Sequence, residues 1–228
     1  MTSTGTFAFA NTATSDLVVT AFSRIGMRGV QIGTQAIFDA ATESNLMMVD
    51  WSNKQPNLWT SDTQSIALVA GTATYTLDIT TITPLVIYVR ITSGSTYTDR
   101  VLAPLSTVDY ASIPNKQTQS VPNAFWFNRQ VTPQLTLWPI PDQAYTLYYQ
   151  RVRQLQDVSV ANGATIDAPY RWLDAFTAGL AHRLARIYKP EMEQLRKADA
   201  QEAWAVAADQ DQEFVPLYIS PDLSSYFN

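Results

Sequence analysis

The sequence predicts an α+β protein: a helical hairpin and C-terminal helices packed together, with an inserted antiparallel β-rich lobe and an extended C-terminal arm. Two observations carry this. Apolar residues recur at helical spacing up to about residue 55 and again from about residue 167 to 208, whereas residues 58–152 alternate Thr, Val, Ile and Tyr in short runs separated by Gly and Pro. Residues 209–228 then follow neither period.

Residues 1–14 read as a flexible N-terminal extension. Ser15 or Asp16 offers an N-cap to a helix with Leu17, Val18, Ala21, Phe22 and Ile25 on its stripe, and Gly26 and Gly29 bracket its stop. A second helix is expected from Thr34 to about Asn53, with Ile37, Ala41, Met48 and Trp51 facing the core. The short link makes the two antiparallel neighbours, so 15–55 reads as a helical hairpin. The lobe at 56–158 follows. SIALVAGTATYTL reads as two strands around Ala70-Gly71-Thr72, and PLVIYVRI (84–91) as a strand apolar enough to be buried on both faces. AFWFN (124–128), QLTLWP (134–139) and AYTLYYQRV (144–152) are further strands, the last two read as a hairpin turned at Pro139, Pro141 and Asp142. The polar stretch 92–123 reads as a long loop with one strand near Val101. Within 159–208, expected to pack on 15–55, Pro169 takes the first helical position ahead of a Leu173, Phe176, Leu180, Leu184 and Ile187 stripe. Pro190 opens another helix through Glu191, Leu195, Ala198 and Trp204 to about Ala208.

Composition excludes much chemistry. There is no cysteine, hence no disulfide, no thiolate catalysis and no Cys-ligated zinc. No run of 18 apolar residues occurs and the N-terminus lacks a secretory pattern, so a soluble protein without membrane contact is expected. Neither G-x-x-x-x-G-K-[ST] nor G-x-G-x-x-G nor G-x-S-x-G is present. The single histidine, His182, has Ala178 and Arg186 at its helical neighbours and reads as a structural or surface residue of a basic helix face. Carboxylate pairs such as Asp199 with Glu202, or Glu191 with Glu193, read as solvated helix faces, Glu191 and Glu193 complementing a helix dipole. No cofactor, metal or enzymatic activity is expected. What stands out is aromatic content, with six Trp, eleven Tyr and nine Phe against 15% charged residues, which suits a large core or an extensively contacted surface.

Charge is unevenly placed within a net −5. Residues 151–197 hold eight basic and five acidic residues, and Arg151, Arg153, Arg171, Arg183 and Arg186 form a candidate inter-subunit basic region. The alternatives are that they meet acids of the same subunit or neutralise nucleic-acid phosphates, and the acidic chain as a whole favours acids on the same or a neighbouring subunit. Residues 198–228 carry six acidic residues and no basic one. The arm at 209–228 is too apolar for an ordinary solvated tail. Phe214, Val215, Leu217, Tyr218, Ile219, Leu223, Tyr226 and Phe227 suit docking on a partner, the alternatives being packing on the protein's own fold and a disordered tail.

VDWSNKQPNLWTSDTQSIALVAGTATYTL (49–77), followed by LTLWPIPDQAYTLYYQRVRQLQD and DAPYRWLDAFTAGLAHRLARIYKPE, resembles the head-to-tail adaptor (head completion, tail tubular A-like connector) proteins of short-tailed bacteriophages. The likeness covers about residues 15–208. It implies a structural virion protein at the head–tail interface, assembled in the host cytoplasm into a homo-oligomeric ring, usually of twelve copies. The resemblance further implies a C-terminal arm that reaches the portal, an opposite face that receives the tail hub or nozzle, and double-stranded DNA passing through the bore without sequence recognition. The alternatives are a carbohydrate- or receptor-binding tail module, for which the long terminal helices are superfluous, and a carboxylate hydrolase.

Overall fold

The structure is a computed structural model and describes Gly5 and residues 12–28, 32–54, 58–161 and 163–211. Among these residues lie five helices: α1 (Thr14–Arg24), α2 (Thr34–Lys54), α3 (Thr107–Ser112), α4 (Leu173–Tyr188) and α5 (Glu193–Asp209). Eight strands stand between α2 and α4: β1 (Ser61–Ala67), β2 (Thr74–Thr76), β3 (Thr81–Ser93), β4 (Thr96–Val101), β5 (Ala103–Leu105), β6 (Ala124–Asn128), β7 (Gln134–Trp138) and β8 (Thr146–Arg153). The α+β class holds.

The helices form one core around α4. This helix buries Ala175, Phe176, Thr177, Ala178, Leu180, Ala181, Leu184 and Ala185, a width that one neighbour cannot cover. α1, α2 and α5 all lie against it, so α1 and α2 are joined chiefly through α4 rather than by each other. Small residues on α4 let its partners approach closely. At Gly179 an added Cβ would sit 2.5 Å from the Met47 sulfur. Trp172, fully buried, lies at the head of α4 with Trp51 at 5.1 Å, Trp59 at 5.2 Å and Trp204 at 6.3 Å between ring centres.

Several helix details differ from expectation. α1 starts at Thr14 and is flanked by Ala13 without a side-chain cap, so neither Ser15 nor Asp16 caps it. Tertiary contact substitutes: the Thr14 N–H donates to the Ala164 carbonyl at 2.8 Å. Gly26 closes the helix with φ of 80°, the left-handed geometry that glycine takes most readily. Gly29 and Pro56 lie outside the described residues. α2 buries Ala36, Ala40, Ser44, Met47, Met48 and Trp51, while Ile37 is exposed and Ala41 half-buried. Small alanines and a serine carry the stripe, which hydropathy alone underrates. Ile187 and Leu195 also prove exposed. Pro169 caps a 3-10 turn, Tyr170–Trp172, and so stands a turn ahead of α4.

The β lobe is two facing sheets, ordered β1-β8-β3-β4 and β2-β7-β6-β5. All pairs are antiparallel except β5 with β6. Alternation places Ile87, Val89, Leu147 and Tyr149 of the first sheet against Phe125, Leu135 and Leu137 of the second, a core separate from the helical one.

This arrangement corrects three readings of the sequence. The strands on either side of Gly71 both exist, but β1 pairs with β8 and β2 with β7. Likewise β7 and β8 are not a hairpin; each belongs to a different sheet. The two crossings run side by side, with Leu68 N–H donating to the Tyr145 carbonyl (2.8 Å) and Gly71 N–H to the Pro141 carbonyl (2.8 Å). Prolines 139 and 141 have no N–H for a ladder, and Leu68 and Tyr145 turn into the sandwich core instead. Second, β3 is buried on one face only: Ile87 and Val89 point inward, while Leu85 and Val86 are exposed. A register shift beside Pro84 accompanies this. Third, the 92–123 stretch is largely structured, holding β4, β5 and α3, whose Ser106–Asp109 capping box satisfies its first turn.

Candidate functional site

Each arginine of the sequence-predicted basic region finds an acidic partner within the subunit. Arg151, buried in the β lobe, reaches Asp62 through Nε (2.7 Å), Asp78 through a terminal nitrogen (3.2 Å) and the Thr81 hydroxyl (2.7 Å). Burial works against the Arg151 charge, but the two carboxylates outweigh it and raise the pKa. Hydrogen bonds from Thr80 and Arg151 hold Asp78 down at about 2. Arg171 binds Asp211 at 2.6 Å, Arg183 lies between Glu43 (3.2 Å) and Asp50 (3.8 Å), and Arg186 meets Glu193 at 3.3 Å. Arg183 and Arg186 share a helix face, whereas Arg151 and Arg153 sit at the end of β8.

Arg153 and Asp167 join the lobes. Their pair is bidentate, at 2.6 and 3.0 Å. Asp167 also accepts from the Gln156 backbone (3.0 Å), and its carbonyl accepts from the Trp59 indole (3.0 Å). One residue thus ties the end of β8, the segment before α4 and the turn ahead of β1. Burial favours protonation of the Asp167 carboxyl, yet Arg153 and Gln156 prevail and lower its pKa. A carboxylate with a depressed folded pKa stabilises above its unfolded value, and that contribution is lost as pH falls through the folded one. Replacing Asp167 with Asn is therefore expected to cost about 2 kcal/mol near neutrality. The difference from the parent should shrink steadily below about pH 4 in urea titrations. An equal cost at pH 6 and pH 2.5 would contradict the assignment.

The remaining polar candidates offer no reactive arrangement among the described residues. His182 lies beside Arg186 (3.4 Å) and Glu193 (3.8 Å); burial and then Arg186 lower its pKa, leaving it neutral at pH 7. Glu193 is engaged by Arg186, and Asp199 by Arg196 at 2.8 Å. No cluster of three His, Cys, Asp or Glu residues among the described residues is placed to hold a metal, and no described helix is long and apolar enough to cross a membrane.

Exposed apolar surface is plentiful, and sequence reasoning missed where it lies. α2 turns Ile37, Phe38, Leu46 and Val49 outward, with Phe38 66% exposed. α5 shows Leu195 and Val206. Between the sheets, near the β4–β5 crossing, a cleft of about 420 Å³ is lined by Leu85, Val101, Leu105 and Phe127 among others. A further cleft of about 570 Å³ lies between α2, α4 and α5. On the first sheet the Arg90 guanidinium lies over one face of Tyr97 (4.0 Å) and of Tyr148 (4.7 Å); Tyr88 stacks on Tyr148 as well, whereas Tyr97 stays largely exposed. The arm residues Phe214, Val215, Leu217, Tyr218, Ile219, Leu223, Tyr226 and Phe227 lie outside the described residues. Helix faces that leave large apolar side chains in water could have been found from α2's surplus of such residues: they outnumber what one stripe can bury.

Internally paired arginines and outward apolar helix faces suit a protein that works through contact. The comparison with known families agrees: residues 27–217 match the model of the SU10 adaptor protein, and the chain belongs to that family of phage adaptors. The match takes in the β lobe and α2 to α5. No curated protein matches the chain.

Proposed function

We propose that the chain is a head-to-tail adaptor of a short-tailed phage, forming a ring, of twelve copies, between portal and tail hub or nozzle. Membership of the adaptor family over residues 27–217 carries this reading. The apolar faces of α2 and α5 support it, because a closed ring uses heterologous contacts in which one patch of a subunit meets a different patch of the next. The helical lobe supplies these contacts and the β lobe projects outward or toward the tail. Double-stranded DNA passes through the bore without sequence recognition, and no bond is broken. Of the five arginines, Arg186 keeps half of its side chain in solvent and is the best placed for a second acid on a neighbour. The arm reaches the portal with Phe214, Val215, Leu217, Tyr218 and Ile219 as anchors, followed by Leu223, Tyr226 and Phe227.

Removing residues 212–228 tests the arm while leaving Asp211, which Arg171 holds. The shortened chain is expected to stay folded by circular dichroism and to stop co-sedimenting with purified portal rings. Undiminished co-sedimentation would remove the arm from the mechanism. Electron microscopy of full-length protein with portal is expected to show one added layer of twelve-fold density.

A further inference from the structure

The cleft between α2, α4 and α5 is aromatic and positively charged. Trp204 forms part of its wall, and Lys54, Arg183, Arg186 and Lys197 surround it, against Asp50 as the one acid in its lining. Three of these cations have acids on the same subunit: Lys54 with Asp50, Arg183 with Glu43 and Asp50, and Arg186 with Glu193. Lys197 meets no carboxylate within ion-pair distance among the described residues. Charge complementarity selects an acidic occupant, and the Trp204 wall favours one with aromatic or aliphatic side chains.

The chain itself holds such a segment. Residues 212–228 contain Glu213, Asp222 and the apolar group from Phe214 to Ile219, with no Lys or Arg. Their point of departure is fixed. Asp211 is buried and bound to Arg171 at 2.6 Å, just ahead of α4, so the chain leaves at the end of the cleft that Ala175 and Trp204 line. From Ala175 to Arg186 the cleft follows α4 for about 16 Å. An extended run of about six residues covers that length.

We propose that, in the free subunit, residues 212–228 fold back along α4 and occupy this cleft. Glu213 lies near the entry, where the Lys54 ammonium stands 5.3 Å over the Trp204 ring, and the apolar group runs along the cleft toward Lys197. The cleft is thus an intramolecular docking site, separate from any portal contact of the arm.

The lack of cysteine makes the test direct. Full-length protein carrying Gln201→Cys, in the cleft, and Val215→Cys is compared with a control carrying Val131→Cys, on the exposed β6–β7 turn, and Val215→Cys. With the same excess of oxidised glutathione as oxidant, the cleft pair is expected to close an intramolecular disulfide about tenfold faster than the control, releasing reduced glutathione, because docking sets a higher effective concentration than the tether alone. Adding Lys54→Glu, an exposed position at the entry beside Glu213, is expected to bring the rate down toward the control. Equal rates for the two pairs would overturn the proposal. So would disulfides that only join two chains, which would make a second copy's arm the occupant. The measurement needs no portal, so its failure and a failure of portal binding by the arm are separable.

Discussion

A chain carrying Trp172→Ala is expected to lose about 4 kcal/mol of stability, the range for truncating a large buried aromatic. Trp172 has no exposed surface and touches Trp51 of α2, Trp59 of the turn before β1 and Trp204 of α5. Removing it leaves a cavity at the point where three separate parts of the chain meet the head of α4. None can follow the receding side chain without giving up its other contacts. Tryptophan fluorescence reports the loss well, since Trp51, Trp59 and Trp204 all surround the site. Trp172→Phe should recover more than half of the cost. It keeps an aromatic ring in the space and removes an indole N–H that is buried without a partner among the described residues. Equal midpoints for the Ala and Phe variants in urea would show that ring volume is not what matters there.

Arg151→Ala comes next, at about 3 kcal/mol, the lower end of the cost of breaking a buried ion pair. Only 6% of the Arg151 side chain is exposed, and it joins β1 through Asp62, the segment before β3 through Asp78, and β3 through Thr81. Its acids have other recourse. Asp62 and Asp78 are 33% and 53% exposed and regain water when the guanidinium is gone, which keeps the cost from the top of that range. Arg151→Lys is expected to cost about half as much, since an ammonium is a point charge and cannot fork between two carboxylates. Denaturant titration checks both. A lysine variant as unstable as alanine would mean that the fork contributes nothing.

Strand β6 was legible to the residue, because AFWFN stands between turn residues and nothing competes for it. β7 and α2 were legible to within a residue or so. The failures share one cause. Whether β7 pairs with β8 or crosses to another sheet depends on what lies ten ångström away, and the same local alternation serves both. Ala36, Ala40 and Ser44 face the core of α2 while Ile37 and Phe38 do not, because α4 needs thin side chains to approach. The basic region was visible as charge; its acids were not, since Arg183 and Glu43 are 140 residues apart.

The order of elements, the helical and β-rich sections, the absence of nucleotide and thiol motifs and the resemblance to phage adaptors were all present in the linear chain, because periodicity and motif spacing are local properties. Partner choice came only with the tertiary structure: which strands share a sheet, which acid meets each arginine, which apolar helix faces are left to water. Those outcomes depend on packing between residues far apart in sequence, and a buried ion pair or an uncovered leucine has no local signature.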